Sequence, residues 1–141
     1  MTTAVDTNVI VALWNKDPVI SLGAQKALET AFSRGSLVIS APVFAELVAG
    51  PGRSEAFVTS FLDATGIAVD WDPGETVWRA AARAYRTYAE RRRRRRERGA
   101  RRILADFLIG AHAQVLGYRL LTLDERLYRA AFPGLTIEPL S

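Results

Sequence analysis

The chain contains no cysteine, and this absence excludes disulfides, thiolate zinc sites and iron–sulfur clusters. It also fits a reducing cytoplasm. Long apolar runs are missing as well: the longest, residues 9–14, is far below the ~20 residues that span a bilayer. No lysine or arginine precedes the first apolar stretch, so we expect no signal peptide. These absences together predict a cytoplasmic protein without a membrane partner.

Positive charge is scarce outside one short segment. Residues 91–102 hold nine arginines and one glutamate, a local charge of +8, whereas the whole chain of 141 residues carries only +4. The other 129 residues therefore sum to −4 and would not bind phosphate by themselves. A segment this basic indicates an anionic polymer as partner. The alternative is a solvated segment of low complexity.

Short apolar runs alternate with segments of helical length along the chain. The pattern predicts strands at residues 4–5, 37–39, 67–69, 120–122 and 135–137. It predicts helices at residues 9–14, 18–35, 42–49, 54–64, 75–96, 103–116 and 125–131. Such alternation is typical of a parallel sheet with helices on both faces. The sequence therefore predicts one α/β domain over residues 1–141, a three-layer α/β/α fold.

Four acidic residues fall at or near the ends of predicted strands. Asp6 directly follows the first strand, Glu46 lies in the helix after the second, and Asp124 follows the strand at residues 120–122. Asp106 stands alone among apolar residues near the start of a helix. Ligands of open α/β sheets bind outside the carboxyl ends of the strands. We therefore expect the four carboxylates to converge at one edge of the sheet.

Each acid also has an explanation that needs no ligand. Asp6 and Asp124 suit helix N-caps, and residues 122–125 fit the capping-box pattern. Glu46 would be a solvated helix residue, although its apolar neighbours offer no polar face. Asp106 would pair with Arg102, four residues earlier. All four explanations must hold together for the acids to have no shared role.

Converging carboxylates without cysteine favour a hard cation such as Mg²⁺ or Mn²⁺. Like charges at close range repel or take up protons unless a cation neutralises them. Such a site polarises a phosphodiester and lowers the pKa of a bound water, so no histidine base is required. We therefore assign no catalytic role to the single histidine, His112, and expect it in the core or on the surface.

Four local sequences resemble the acidic motifs of PIN domains. They are residues 5–9 (VDTNV), 40–47 (SAPVFAEL), 105–113 (ADFLIGAHA) and 121–124 (LTLD). In this order and spacing the chain is similar in particular to VapC-type toxins, the ribonuclease half of a toxin–antitoxin pair. The resemblance extends from residue 6 to residue 135 and so covers almost the whole chain.

The resemblance implies a metal-binding and catalytic quartet, with Mg²⁺ or Mn²⁺ as cofactor. Its members would be Asp6 and Asp106 as the principal ligands, completed by Glu46 and Asp124. Supporting polar positions that orient the acids, water or phosphate would be Thr7 or Asn8, and Thr122. The implied reaction is hydrolysis of single-stranded or loop RNA by a metal-activated water, which leaves a 5′-phosphate and a 3′-hydroxyl. The implied partners are a cognate antitoxin that occludes the site, a second copy in a homodimer or toxin–antitoxin hetero-oligomer, and operator DNA through the antitoxin.

The chain departs from the family in its basic segment. The family usually has a few basic residues before the third acidic motif, whereas this chain has nine arginines: Arg91, Arg92, Arg93, Arg94, Arg95, Arg96, Arg98, Arg101 and Arg102. Our hypothesis is that they follow the phosphates of RNA and deliver it to Asp106. The same arginines would equally suit an acidic segment of an antitoxin, and the sequence does not choose between the two.

Two phosphate-handling folds fit the sequence less well. A phosphatase of the haloacid-dehalogenase type has a second aspartate two residues after the first, where this chain has Asn8. A receiver domain requires a supporting lysine, and the only lysines are Lys16 and Lys26.

A non-catalytic RNA-binding module would explain the arginines but not the four acids. It also lacks an obvious stacking platform, since we expect most of the scattered aromatic residues to pack in the core: Trp71, Trp78, Tyr85 and Tyr88. A housekeeping RNA-processing or DNA-directed nuclease of the same fold shares the chemistry and is the closest alternative.

Overall fold

A computed structural model describes residues 1–96, 102–138 and 140 of the chain. Five strands lie within these residues: β1 (Thr2–Val5), β2 (Ser36–Ser40), β3 (Ala68–Asp70), β4 (Arg119–Leu121) and β5 (Ile137–Glu138). The helices within them are α1 (Thr7–Leu13), α2 (Pro18–Arg34), α3 (Ala41–Ala49), α4 (Glu55–Thr65), α5 (Gly74–Arg94), α6 (Leu104–Leu116) and α7 (Glu125–Ala131). Every predicted strand and helix is present with small shifts at its ends.

All five strands are parallel, in the order β3-β2-β1-β4-β5. The central strand β1 pairs with β2 on one side and β4 on the other, with Ala4 opposite both Val38 and Leu120. The chain therefore runs outward from β1 in one direction and later returns to the other side of it. The carboxyl ends of β1 and β4 flank this change of direction, where open sheets have a crevice that binds ligands.

The strands are buried because helices cover both faces of the sheet. Ala4, Val5, Ile39, Leu120 and Leu121 are all buried and apolar. This arrangement confirms the predicted three-layer α/β/α fold. None of the helices in the described residues is both long enough and apolar enough to cross a membrane.

Helix α6 is the most buried helix of the fold, with every residue from 107 to 113 inside the core. Gly110 permits this burial, since a Cβ atom there would lie 2.3 Å from Cε2 of Phe132. A glycine within a helix costs about 1 kcal/mol relative to alanine. Here the cost is offset by the close approach of Phe132 to the helix backbone. The tight packing fixes the direction of α6 and hence the place of its first turn.

Helix α5 packs along α6 and brings two tyrosines into the core layer. The rings of Tyr85 and Tyr88 lie 5.0 and 5.4 Å from the ring of Phe107. Trp71 and Trp78 are exposed instead, so the prediction that these two pack in the core was wrong. Trp71 follows the edge strand β3, and Trp78 lies on α5 between the buried residues 77 and 81, turned toward solvent.

Candidate functional site

The carboxyl end of β1 places Asp6 inside the crevice between β1 and β4. Its backbone N–H donates to the carbonyl oxygen of Leu121 at 2.9 Å, which extends the pairing of the two strands by one residue. Its side chain is only 5% exposed, and Oδ2 accepts a hydrogen bond from Thr122 Oγ1 at 2.7 Å. Asp6 stands at the N-cap position of α1 but does not cap the helix with its carboxylate. The carboxylate is therefore held for another purpose than capping.

Thr122 also holds the loop that carries the fourth acid. Its Oγ1 accepts from the backbone N–H of Asp124 at 3.0 Å, while Asn8 Oδ1 accepts from the N–H of Leu123 at 3.1 Å. The expected capping box at residues 122–125 does not form, because α7 begins three residues after Thr122 with Asp124 as its N-cap residue. Asp124 makes no side-chain cap either, and its carboxylate remains available to the crevice.

Helix α3 brings Glu46 to the same edge of the sheet. Val43 and Leu47 of this helix are fully buried, and Glu46 Oε1 accepts a hydrogen bond from Thr7 Oγ1 at 2.6 Å. Glu46 is thus half-buried beside the start of α1 and is not a solvated helix residue. Ser40 precedes α3, but its buried hydroxyl does not cap the helix and has no hydrogen-bond partner among the described residues.

Asp106 lies in the first turn of α6, half-buried above the buried part of that helix. The expected pair between Asp106 and Arg102 does not form. The helix begins at Leu104, so Arg102 lies before it, outside the helical spacing on which that expectation rested. The guanidinium of Arg102 instead contacts Asp124 Oδ2 at 2.9 Å, and its backbone N–H donates to the hydroxyl of Tyr88 at 2.8 Å.

The four carboxylates form what we call the acid site: Asp6, Glu46, Asp106 and Asp124. Burial, followed by the negative charges of Asp6 and Glu46, raises the pKa of Asp106 to about 6 against the opposing charge of Arg102. Burial also raises the pKa of Asp6, against the hydrogen bond from Thr122 that lowers it. Members of the acid site are therefore close enough to repel one another, and Arg102 only partly offsets their charge.

Tyr128 lies beneath the acid site, and the sequence reasoning gave it no role. Its ring is buried, and its hydroxyl makes no hydrogen bond of ordinary geometry with the described residues. Burial and the nearby charges of Asp6 and Asp106 raise the pKa of this hydroxyl, so it stays protonated. The signal that would have found it is its position four residues after Asp124, on the same face of α7.

The chemistry of the acid site fits a hard divalent cation. Its donors are carboxylate oxygens, and a cation would lower the pKa values of Asp6 and Asp106, which are raised. Two buried hydroxyls at the same edge, Ser40 Oγ and Tyr128 Oη, have unused hydrogen-bonding capacity in the described structure. Within the described residues no three acidic or histidine side chains are already grouped as metal ligands. Binding of a cation would therefore draw the side chains of the acid site closer together.

His112 belongs to the core, one of the two locations that the sequence allowed. It is 1% exposed, and its Nε2 lies 3.0 Å from Asp70 Oδ2 at the end of β3. Its ring also contacts Tyr118 edge-on at 5.6 Å. The pair of His112 and Asp70 thus ties α6 to the edge of the sheet.

The arginine segment leaves α5 and returns at the acid site. Residues 91–94 form the last turn of α5, and Arg95 and Arg96 follow directly after it. Arg98 and Arg101 lie outside the described residues. Arg102, at the far end of the segment, contacts Asp124. Both described ends of the segment are thus fixed, one on α5 and the other beside the carboxylates.

Comparison with known proteins connects this arrangement to one family. The family model of the PIN domain matches residues 3–133. Among solved structures, VapBC2 from Rickettsia felis bound to a DNA fragment from its promoter has 22% identity and a TM-score of 0.65, over 99% of this chain and 98% of that chain. DNA-bound VapBC from Salmonella typhimurium has 20% identity and a TM-score of 0.67, over 100% and 99%. VapBC-1 from nontypeable Haemophilus influenzae has 19% identity and a TM-score of 0.67, over 99% and 98%. No curated protein matches the chain. At these identities the solved structures establish the shared fold.

Proposed function

Because the chain belongs to the PIN-domain family, we propose that it is a metal-dependent endoribonuclease and the toxin of a toxin–antitoxin pair. The observation that supports the nuclease proposal is the proximity of Asp106 to the charges of Asp6 and Glu46, together with Thr122, which bonds both Asp6 and the backbone N–H of Asp124. Burying like charges close together costs free energy, and a bound cation would offset this cost. A divalent cation and the phosphate of a nucleic acid are ligands of the required chemistry.

In this mechanism each residue of the acid site has a separate task. Asp6 and Asp106 would be the principal ligands of Mg²⁺ or Mn²⁺, and Glu46 and Asp124 would complete the site. When bound, the cation supplies a polarised phosphodiester and a water of lowered pKa. The protein's own contribution is to hold its carboxylates in place for that cation. Because the pKa of Asp106 is raised to about 6, this carboxylate would have to lose a proton as the site fills only at or below about pH 6.

Hydrogen bonds from supporting residues fix the carboxylates. The hydroxyl of Thr122 donates a hydrogen bond to Asp6 and accepts one from the backbone N–H of Asp124, so one hydroxyl positions two acids. Thr7 donates to Glu46, and Asn8 holds the loop at Leu123. These bonds orient the oxygens before a ligand arrives, which lowers the reorganisation needed in the reaction. Attack by water on the phosphate then leaves a 5′-phosphate and a 3′-hydroxyl.

The solved relatives support the choice of toxin within the family. They are VapBC complexes, and those from Rickettsia felis and Salmonella typhimurium are bound to DNA. We propose by analogy that this chain pairs with a cognate antitoxin in the cytoplasm and contacts operator DNA only through it. The complex would contain a homodimer of the chain or a toxin–antitoxin hetero-oligomer. The arginines of residues 91–96, of which residues 93–96 are exposed, would bring RNA toward the acid site by attraction to its phosphates.

The direct test is cleavage of single-stranded RNA by the purified chain. We expect cleavage with Mg²⁺ or Mn²⁺, none with a chelator, and none in Asp6→Asn or Asp106→Asn. The matched control is Asp63→Asn, because Asp63 is an exposed acid on α4 outside the acid site. Circular dichroism establishes that each variant is folded. Full activity of Asp106→Asn would contradict the metal site.

A second experiment separates a toxin from a housekeeping nuclease of the same fold. We expect that induction of the wild-type chain alone arrests growth, and that induction of Asp6→Asn does not. Equal growth with both chains would point to a housekeeping enzyme. Cleavage of single-stranded DNA in preference to RNA would point to a DNA-directed enzyme.

A further inference from the structure

Helix α5 carries arginines that form ion pairs and arginines that do not. Arg79 forms an ion pair with Glu75 at 2.7 Å, and Arg86 forms one with Glu90 at 2.9 Å, each across four residues. The hydrogen bond and charge of Arg86 hold the pKa of Glu90 below its usual value. The positive charges of Arg79 and Arg86 are therefore largely matched by carboxylates of the same helix.

Arg83 and Arg91 differ from this pair of arginines. Neither forms an ion pair within the part of the chain that the structure describes. They lie eight residues apart, which separates them by about 80° around the helix and about 12 Å along its axis. What they share is the cleft that both of them line, where they present two positive charges without an ion-pair partner among the described residues.

Arg83 and Arg91 border a cleft of about 350 Å³ between α5, α6 and α7, which we call the α5 cleft. Its inner surface is apolar and partly aromatic, with Tyr88, Phe107 and Phe132 among its lining residues. No acidic residue is present among the described residues that line it. The α5 cleft therefore combines an apolar interior with a positive rim, which is a suitable environment for a group that is flat and apolar but joined to negative charge.

The α5 cleft adjoins the acid site through two direct connections. Phe107, in its wall, immediately follows Asp106 in the first part of α6. The hydroxyl of Tyr88, also in its wall, accepts the backbone N–H of Arg102 at 2.8 Å, and the guanidinium of Arg102 contacts Asp124 at 2.9 Å. A polymer whose scissile phosphate lies at the acid site would therefore reach the α5 cleft with a neighbouring part.

We propose that the α5 cleft binds single-stranded RNA beside the point of cleavage. One unpaired base enters its apolar interior, and Arg83 and Arg91 contact two different phosphates of the strand. An unpaired base has an exposed flat face, whereas a base in a duplex is stacked and does not enter a cleft. The site thus selects single-stranded over paired RNA. This inference rests on the proposed nuclease function, because it takes RNA as the substrate of the acid site.

The test compares two double variants that remove the same charge from the same helix. Arg83→Gln with Arg91→Gln alters the α5 cleft, and Arg79→Gln with Arg86→Gln is the matched control. Both are made in the Asp6→Asn background so that the probe, a 5′-labelled single-stranded RNA of about 12 nucleotides, stays intact. Fluorescence anisotropy gives its affinity over a range of salt concentrations. Thermal unfolding establishes that all proteins are folded.

We expect the cleft variant to lose at least about tenfold in affinity and the control less than about threefold. The slope of log affinity against log salt should fall by about 1.4 in the cleft variant, since each lost phosphate contact removes ~0.7. Equal affinities and slopes in the two double variants would overturn the inference. An unchanged RNA affinity together with lost binding of a poly-glutamate peptide would overturn it in favour of an acidic protein segment.

A third variant tests the interior of the α5 cleft without a change of charge. Ala130 is an exposed residue of α7 that lines the cleft, so Ala130→Phe fills space that the base would occupy. We expect weaker binding of the single strand with an unchanged salt slope, and equal binding of the single strand by this variant and its parent would overturn the base-binding part.

A failure of the α5 cleft proposal can be distinguished from a failure of the proposed nuclease function. Wild-type cleavage of RNA together with unaltered binding by the cleft variant would reject the α5 cleft and leave the nuclease intact. Absence of cleavage together with RNA binding that depends on Arg83 and Arg91 would reject the nuclease and leave the cleft as an RNA site.

Discussion

The acid site and the ion-paired arginines of α5, Arg79 and Arg86, hold their charged groups in opposite ways. The carboxylate of Asp6 is buried and fixed by a hydrogen bond from Thr122. Asp106 is half-buried, with its pKa raised to about 6. The arginines Arg79 and Arg86 stand in solvent on the surface of a helix and form ion pairs with neighbouring glutamates.

The difference indicates where the protein requires precise geometry. Withdrawing a carboxylate from water costs free energy, whereas an exposed guanidinium costs little. Chemistry on a phosphate depends on positions within fractions of an ångström, while attraction of an anionic polymer depends mainly on net charge. We therefore expect substitutions in the acid site to act steeply and substitutions of surface arginines to act gradually.

The largest expected effect is the loss of catalysis in Asp6→Asn. Removal of a ligand that supplies several kcal/mol of charge stabilisation should lower the rate by at least ~10³-fold. Single-turnover cleavage at saturating RNA measures this rate without a contribution from binding. By comparison, the control pair Arg79→Gln with Arg86→Gln should leave the same rate within about threefold, since it removes only screened surface charges. A loss below tenfold in Asp6→Asn would abolish the contrast between the two regions.

The second effect concerns the support of the acid site. Thr122→Val removes the donor to Asp6 and the acceptor for Asp124, and leaves both partners in a largely buried environment. Loss of a buried hydrogen-bond partner costs about 1–3 kcal/mol, so urea unfolding should show a destabilisation of that size. Thr122→Ser is the matched control, because it keeps the hydroxyl and should retain most of the stability. Equal destabilisation by both variants would attribute the effect to lost packing of the methyl group.

The third effect is a dependence of stability on pH that only the acid site should show. The pKa of Asp106 rises from 3.8 to about 6 on folding, so its contribution to stability is complete below pH 3.8 and is lost as the pH rises through 6. Such a shift corresponds to about 3 kcal/mol for a fully buried group, and solvent screening of this half-buried one reduces it to about 1–2 kcal/mol. In chelator at pH 7, Asp106→Asn should therefore be more stable than the wild type by about 1–2 kcal/mol.

Urea unfolding of both proteins between pH 4 and pH 7 measures this difference. It should be small near pH 4 and grow until about pH 6.5. A constant difference over the whole range would show that the ionisation of Asp106 is not its origin.

The same contrast explains what the sequence could predict. Strand ends follow from apolar runs, and in a parallel sheet all carboxyl ends meet at one edge, so the positions of Asp6 and Asp124 after β1 and β4, and of Glu46 in the helix after β2, were predictable. Side-chain partners that depend on where a helix begins could not be predicted in this way. The alternative explanation of Asp106 paired it with Arg102, but α6 begins after Arg102, and the side chain of Arg102 reaches Asp124 instead.

The exposure of individual aromatic side chains could not be predicted from the sequence either. An apolar residue next to an edge strand packs only if another element covers it, and no local pattern states whether one does. Trp71 is therefore exposed beside Phe44, with the two rings 4.8 Å apart. Tyr128, in contrast, is buried beneath the acid site, where its hydroxyl faces nearby negative charge.

The smallest expected effect on stability comes from Arg102, the described arginine of the segment that contacts the acid site. Its pair with Asp124 is partly exposed, so Arg102→Gln should change the free energy of unfolding by less than about 1 kcal/mol. Its effects on ligands should have opposite signs. Loss of the positive charge frees Asp124 and should strengthen binding of Mn²⁺, measured by calorimetry without RNA, by up to about fivefold. Loss of the same charge should weaken binding of RNA in chelator.

Arg126→Gln is the control for net charge, since Arg126 is an exposed residue of the neighbouring helix α7. If it reproduced both changes, they would reflect net charge and not the contact with Asp124. Weaker Mn²⁺ binding in Arg102→Gln would instead mean that the guanidinium holds Asp124 in the geometry that the cation requires. In that event the two regions would not be independent, because the precise positions of the acid site would depend on an arginine from the basic segment.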